Sequence, residues 1–271
     1  MALDNPAFSR NSAFSAQGGA AAAHDISAQQ LQQMYNQPAT PPAGETMAVE
    51  TTIQKAAVSF GLLLVGAALG WLTTESLPFL WIGAGIVGFV LVLVNTFKRE
   101  PSPALILAYS AVQGVFVGGI SAWYESINPG IVAQAVIATL VVVGVTLALF
   151  ASGKIRASKK ATKIFLIAMV GYLVFSLVNL GIMLFGGAEG NPWGLRGSFE
   201  IMGIPLGVIL GVFVVIMAAY SLVLDFDFIQ QGVRNRAPKK YEWSGVFGIM
   251  VTVIWLYLEI LRMLAIAQSS D

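Results

Sequence analysis

Four charged residues stand where apolar helices leave them poorly placed. Asp225 and Asp227 close one long apolar stretch, and Glu259 and Arg262 lie inside the next. A charge in the hydrocarbon of a membrane costs about 2.5–3.5 kcal/mol on insertion scales, so such residues face the interior of a helix bundle, where they pair or handle ions and protons. Asp225 and Asp227 are two residues apart and point roughly 200° apart around a helix, so they cannot share one proton as neighbouring carboxylates. Asp225 is the deeper of the two, with Ser221 one turn above it. Asp227 precedes Gln230, Gln231 and Gly232 and lies nearer to water. Both also fit terminal residues reaching solvent. Glu259 and Arg262 are spaced i, i+3 and can pair on one helix face, which reads as a structural pair. Other chemistries are excluded by composition. With no cysteine, thiol catalysis, disulfides and cysteine zinc sites are absent, and the single histidine, His24, falls in a polar tail, so histidine metal clusters and Ser-His-Asp catalysis are excluded too.

The elements that position these charges are membrane spans. Of the 271 residues 56% are hydrophobic and 11% charged, where soluble domains carry about a quarter charged residues. A helix needs about 20 mostly apolar residues to cross the hydrocarbon. Such runs occur at 56–72, 79–97, 103–123, 130–151, 164–186, 204–229 and 243–267. The expected fold is all-α, a polytopic bundle of seven transmembrane helices over 56–271. It is preceded by a disordered tail over 1–55 rich in Ala, Gln, Ser, Asn and Pro, in which SAQQLQQMYNQ could form a transient helix. The fifth connection is long enough to hold a re-entrant or interfacial turn. Gly114 with Gly118, and Gly207 with Gly211, have the spacing that lets helix backbones touch, and packing within the bundle is the expected use.

Thirteen of the fifteen Lys and Arg residues fall on one side of this arrangement. Arg196 alone falls in an opposite connection, and Arg262 lies within the last span. That bias predicts a cytoplasmic N-terminus and an outer C-terminus, the membrane being the plasma (inner) membrane. A net charge of +1 argues against nucleic acid as a partner. A retinal Schiff base would need a lysine in the last span, which has none.

The segment 219–264, AYSLVLDFDFIQQGVRNRAPKKYEWSGVFGIMVTVIWLYLEILRML, resembles the last two helices of the Bax inhibitor-1-like (transmembrane Bax inhibitor motif) family. An aspartate ends the sixth helix there, a short polar loop follows, and the seventh ends in a Leu-Arg-x-Leu-type sequence. KREPSPALILAYSAVQGVFVGGIS is similar to the family's third span, and the opening DNPAFSR to a long-tailed bacterial branch. The resemblance implies a pH-sensitive calcium leak channel, gated by two aspartates, on the sixth and seventh helices, that share a proton. Asp225 best matches the first, with Asp227 as second choice. Anchored on Leu261 and Arg262, the second falls on Thr252, so this chain lacks the paired carboxylates. Depth agrees with that register, since Asp225 and Thr252 lie at nearly equal distance from the loop joining their helices.

These readings lead to two expected functions. The first is a cation leak or proton-linked exchanger for calcium or protons, with Asp225 as the ion-site carboxylate, Thr252 and Ser221 beside it and Arg99 as a counter-charge. One carboxylate with two hydroxyls and carbonyls makes a weak calcium site. The second is a non-conducting membrane partner that modulates a quality-control protease or another membrane complex. No catalytic residues and no cofactor are expected. An intramembrane aspartyl protease would need a second aspartate where Thr252 stands.

Overall fold

The computed structural model describes residues 45–185 and 193–269. The expected transient helix in the tail, His24, and the rest of 1–44 lie outside the described residues. Among the described residues seven helices are long and apolar enough to cross a membrane: α1 Val49–Thr73, α2 Leu80–Phe97, α3 Pro103–Ile127, α4 Ile131–Ala151, α5 Lys159–Leu184, α6 Leu206–Arg234 and α7 Glu242–Gln268. The chain is an all-α polytopic membrane protein, as the hydropathy pattern predicts. A one-turn helix, Leu195–Ser198, and a two-stranded hairpin, β1 Glu200–Ile201 with β2 Ile204–Pro205, occupy the described part of the fifth connection. The hairpin turn uses positive φ at both Met202 and Gly203, the geometry of a tight two-residue loop.

Helix starts follow from the caps. Pro103 opens α3 at the position where a missing N–H is harmless. Ser158 caps α5 by accepting from the Ala161 N–H at 3.2 Å. Glu125 folds back from the end of α3 to accept from the N–H groups of Gly130, 2.6 Å, and Val132, 3.1 Å, at the start of α4. This use of Glu125 carries α3 on to Ile127, past the expected end at 123. Helix α1 likewise begins at Val49 rather than 56. The expected unstructured tail is therefore corrected for 45–55, where short-range polarity conceals a helix start held by distant residues. Thr46 bridges Pro238 in antiparallel fashion, Met47 N–H donates to Ala237 O at 2.8 Å, and Lys239 N–H donates to Glu45 O at 2.8 Å.

Four segments gather at one end. Lys55 of α1 reaches Glu242 at the start of α7, Lys240 reaches Glu100 between α2 and α3, and Arg156 between α4 and α5 donates to Gln230 of α6. This is the end that carries nearly all the basic residues, and it is called the basic end below. The Lys240 ammonium beside Glu100 holds its exposed carboxyl below the usual carboxylate range, and Lys239 does the same for Glu45.

Helix α7 is the spine. Thirteen of its residues are buried, against one each in α2 and α5. It packs on α1, α3, α4 and α6, while α2 rests on α3. The closest backbone approach is between α1 and α3. A Cβ added at Gly118 would lie 1.9 Å from Ala67 O, and one at Gly70 would lie 2.1 Å from Val115 O. Gly66 and Gly70 answer Gly114 and Gly118, so the small-residue spacing serves packing within the bundle. Gly207 and Gly211 receive Ile266 and Met263 of α7.

Gly118→Ala should therefore destabilise the protein by about 1–3 kcal/mol, the range for overpacking. Gly61→Ala, where an added methyl meets nothing within 4 Å, should leave stability unchanged or slightly raised. Thermal unfolding of the purified protein in detergent compares them, and equal melting for the two variants would contradict the close α1–α3 contact.

Candidate functional site

Helices α6 and α7 run against each other, and glycines on α7 make room for α6 side chains. A Cβ on Gly245 would lie 2.6 Å from Ile229 Cγ1, and one on Gly248 would lie 2.4 Å from Asp225 Oδ1. The Asp225 carboxylate thus rests on the bare backbone of α7. One turn further, Thr252 Oγ1 donates to Asp225 Oδ2 at 2.8 Å. Ser221 Oγ lies 3.2 Å from Thr252 Oγ1. Since the threonine proton is committed to the carboxylate, Ser221 is the donor in that contact. The structure therefore brings Asp225, Thr252 and Ser221 into one relay across the α6–α7 seam. Thr252 is buried and Asp225 partly so.

The other residues singled out in the sequence lie elsewhere. Asp227 accepts from Gln231 Nε2 at 2.5 Å and lines a shallow cavity at the basic end with Lys159, Thr162 and Lys163. Its carboxylate is on a different face of α6 from Asp225, as the 200° separation requires. Arg99 is exposed between α2 and α3, and among the described residues no ion pair joins it to Asp225. The expected counter-charge is corrected: the loop that follows α2 meets the basic end through Glu100 and Lys240, while the neighbouring Arg99 is exposed.

Around Asp225 the relay supplies one carboxylate and two hydroxyls. Calcium takes about 6–8 oxygen ligands, so this set is too small to retain that ion. A separate groove of about 640 Å³ opens between α1, α3, α4 and α7, lined by residues such as Leu63, Ala67, Val136, Leu140, Met250 and Tyr257. Its polar members are satisfied within the protein, Ser121 by Val117 O and Tyr257, and Thr139 by Ala135 O. It offers hydrocarbon contact and no chemistry.

Two turns beyond Thr252 on α7, Glu259 is buried and paired with Arg262, as the i, i+3 spacing predicts. The pair has further members that the sequence reading missed. Arg196, expected in an exposed connection, is buried, with Nη1 3.8 Å from Glu259 Oε2. Tyr172 of α5 donates its hydroxyl to Glu259 and accepts from Arg196, 3.0 Å, and Arg262, 3.1 Å. Arg196 also donates to Ser176 at 3.1 Å. Asn179 of α5 accepts from Leu195 N–H at 2.7 Å, and a Cβ on Gly194 (φ +59°) would lie 2.6 Å from Asn179 Oδ1. Only glycine allows that turn to bring Arg196 inward. The available signal was Gly194 before Leu195 and Arg196, beside a span carrying Tyr172, Ser176 and Asn179 at helical spacing.

Seven spans with a carboxylate on the seam of the last two is the arrangement to set beside known proteins. A family model described as Bax inhibitor 1 like matches residues 5–269. The chain belongs to that family. The match begins far ahead of the first span, so the likeness extends beyond the helices that first suggested it. No curated protein matches the chain significantly.

Within this family member, the second polar cluster generates a stability order. Glu259→Gln leaves two arginines together in a poor solvent and should cost about 3–5 kcal/mol, the range for breaking a buried pair. Arg196→Gln leaves a balanced Glu259 and Arg262 and should cost clearly less. Chemical unfolding in micelles measures both, and a larger loss for Arg196→Gln would refute the charge balance described.

Proposed function

We propose that this Bax inhibitor 1 like protein is a cation leak pathway for calcium or protons, with Asp225 as its ion-site carboxylate. The observation that carries the reading is the hydrogen bond from Thr252 to Asp225, 2.8 Å long, on the seam between two spans. An ionisable residue inside a bundle marks an ion path more often than a structural need, and this one faces a relay of hydroxyls. Asp225 accepts the cation or proton, Thr252 orients the carboxylate, and Ser221 extends the polar path by one turn of α6. The protein transports and does not catalyse. Where the family dyad would place a second aspartate, Thr252 gives a hydroxyl that cannot take up charge, so this site responds to pH through a single carboxylate.

In proteoliposomes, Asp225→Asn should lower calcium or proton flux at least tenfold, and Asp227→Asn should leave it within twofold. Thr252→Asp should add a second titration step to the flux profile, because two carboxylates in contact share protons as a pair. Asp225→Asn in that background should remove the step. Flux that is unchanged by Asp225→Asn would sink the assignment. No flux from the wild-type protein or from any variant would leave the second reading, a non-conducting partner of a membrane protease or complex.

In the plasma (inner) membrane assigned to it by this reading, the distribution of basic residues supports a cytoplasmic basic end. A reporter fused after residue 271 should report the outside, and one inserted in the 154–163 loop the cytoplasm. The opposite pattern would reverse the direction of the proposed leak.

A further inference from the structure

The basic end of the α6–α7 seam is covered by the chain's own approach to its first span. From Asp225, the next turn of α6 toward that end presents Ile229, buried against Gly245. The turn after it presents Gly232, and there the Met47 thioether is seated. Met47 is 3% exposed, and a Cβ on Gly232 would lie 2.6 Å from its Sδ. Asp225 and Gly232 are seven residues apart, about 10 Å along the helix. Ile229 and Met47 therefore lie as two apolar layers between the carboxylate and the end of the seam.

What keeps Met47 there is one acidic side chain. Glu242, fully buried at the start of α7, accepts from Ala48 N–H at 2.9 Å, from Thr51 Oγ1 at 2.6 Å and from Lys55 Nζ at 2.6 Å. Ala48 precedes α1 and has no side chain to cap it, so Glu242 caps α1 from another helix. The remaining ties are slight. They are the single bridge of Thr46 to Pro238 with its two backbone hydrogen bonds, and the exposed pair of Glu45 with Lys239. Exposed pairs contribute little, and segments with few buried ties open locally below the global unfolding free energy.

We propose that residues 45–48 are a lid over the α6–α7 seam, with Met47 as its plug and Glu242 as its catch. That the lid regulates ion passage rests on the reading of Asp225 as the ion site; that it closes the seam rests on the packing alone.

The chain has no cysteine, so a single thiol reports without background. Ile229→Cys, in nanodiscs that expose both faces, should react slowly with a membrane-impermeant thiol reagent. Adding Met47→Gly or Glu242→Gln should raise the rate at least tenfold, and adding Met47→Leu should keep it slow. Fast labelling with the native lid, or no acceleration in a released variant that keeps its helical circular dichroism, would overturn the proposal. If Glu242→Gln fails to fold, Met47→Gly against Met47→Leu decides alone. Flux in the same variants separates the two readings. Accelerated labelling with no flux in any of them keeps the lid and removes the ion-path assignment, whereas flux that rises with labelling supports both.

Discussion

Hydrocarbon provides neither donors nor acceptors, so a carboxylate at bilayer depth must find its partners in the protein. Asp225 finds them on α7, where Gly248 lets the carboxylate reach the backbone and Thr252 supplies a proton donor. That seat exists only while α6 and α7 lie close. The same closeness is kept along the seam by Gly245 against Ile229 and, toward the other end, by Gly211 against Met263 and Gly207 against Ile266. The positions of α1, α3 and α4 follow, because each packs on α7.

Apolar packing alone gives little preference among helices in a membrane, since lipid tails satisfy an aliphatic side chain as well as a neighbouring helix does. Polar contacts therefore do much of the specifying here, and α7 carries several of them. Glu242 holds α1, Thr252 meets α6, Tyr257 meets Ser121 of α3, and Glu259 gathers α5 and the turn containing Arg196. Helix α5 depends on this most. A single residue of it is buried, and among the described residues its side-chain hydrogen bonds to the rest run through Tyr172, Ser176, Asn179 and Thr162.

The number of spans was legible because 20-residue apolar runs are long signals. The meeting of Asp225 with Thr252 was legible because the family resemblance, anchored on Leu261 and Arg262, set the register, and rise along two helices joined by a short loop agreed with it. Glu259 with Arg262 was legible in part, as a local i, i+3 relation. Arg196 was not, because a connection that folds back into the bundle has no periodicity and a basic residue in it reads as solvated. Glu242 with Lys55 was hidden for another reason. Each looks like an ordinary loop charge, and only tertiary structure brings together residues 187 apart in sequence. Arg99 erred in the opposite way, since closeness to a span end in sequence does not place a side chain beside another span.

The capping of α1 by Glu242 has a consequence for how the chain is made. Synthesis runs from the N-terminus, so the first span emerges with the Ala48 N–H unanswered and with Lys55 unpaired. Their partner is the first residue of the last span. Until Glu242 has been translated, the Ala48 N–H and the Lys55 ammonium lack this partner. Completion of the first helix is thus deferred to the arrival of the last, and the closed arrangement at the basic end belongs to a chain that already carries the start of α7.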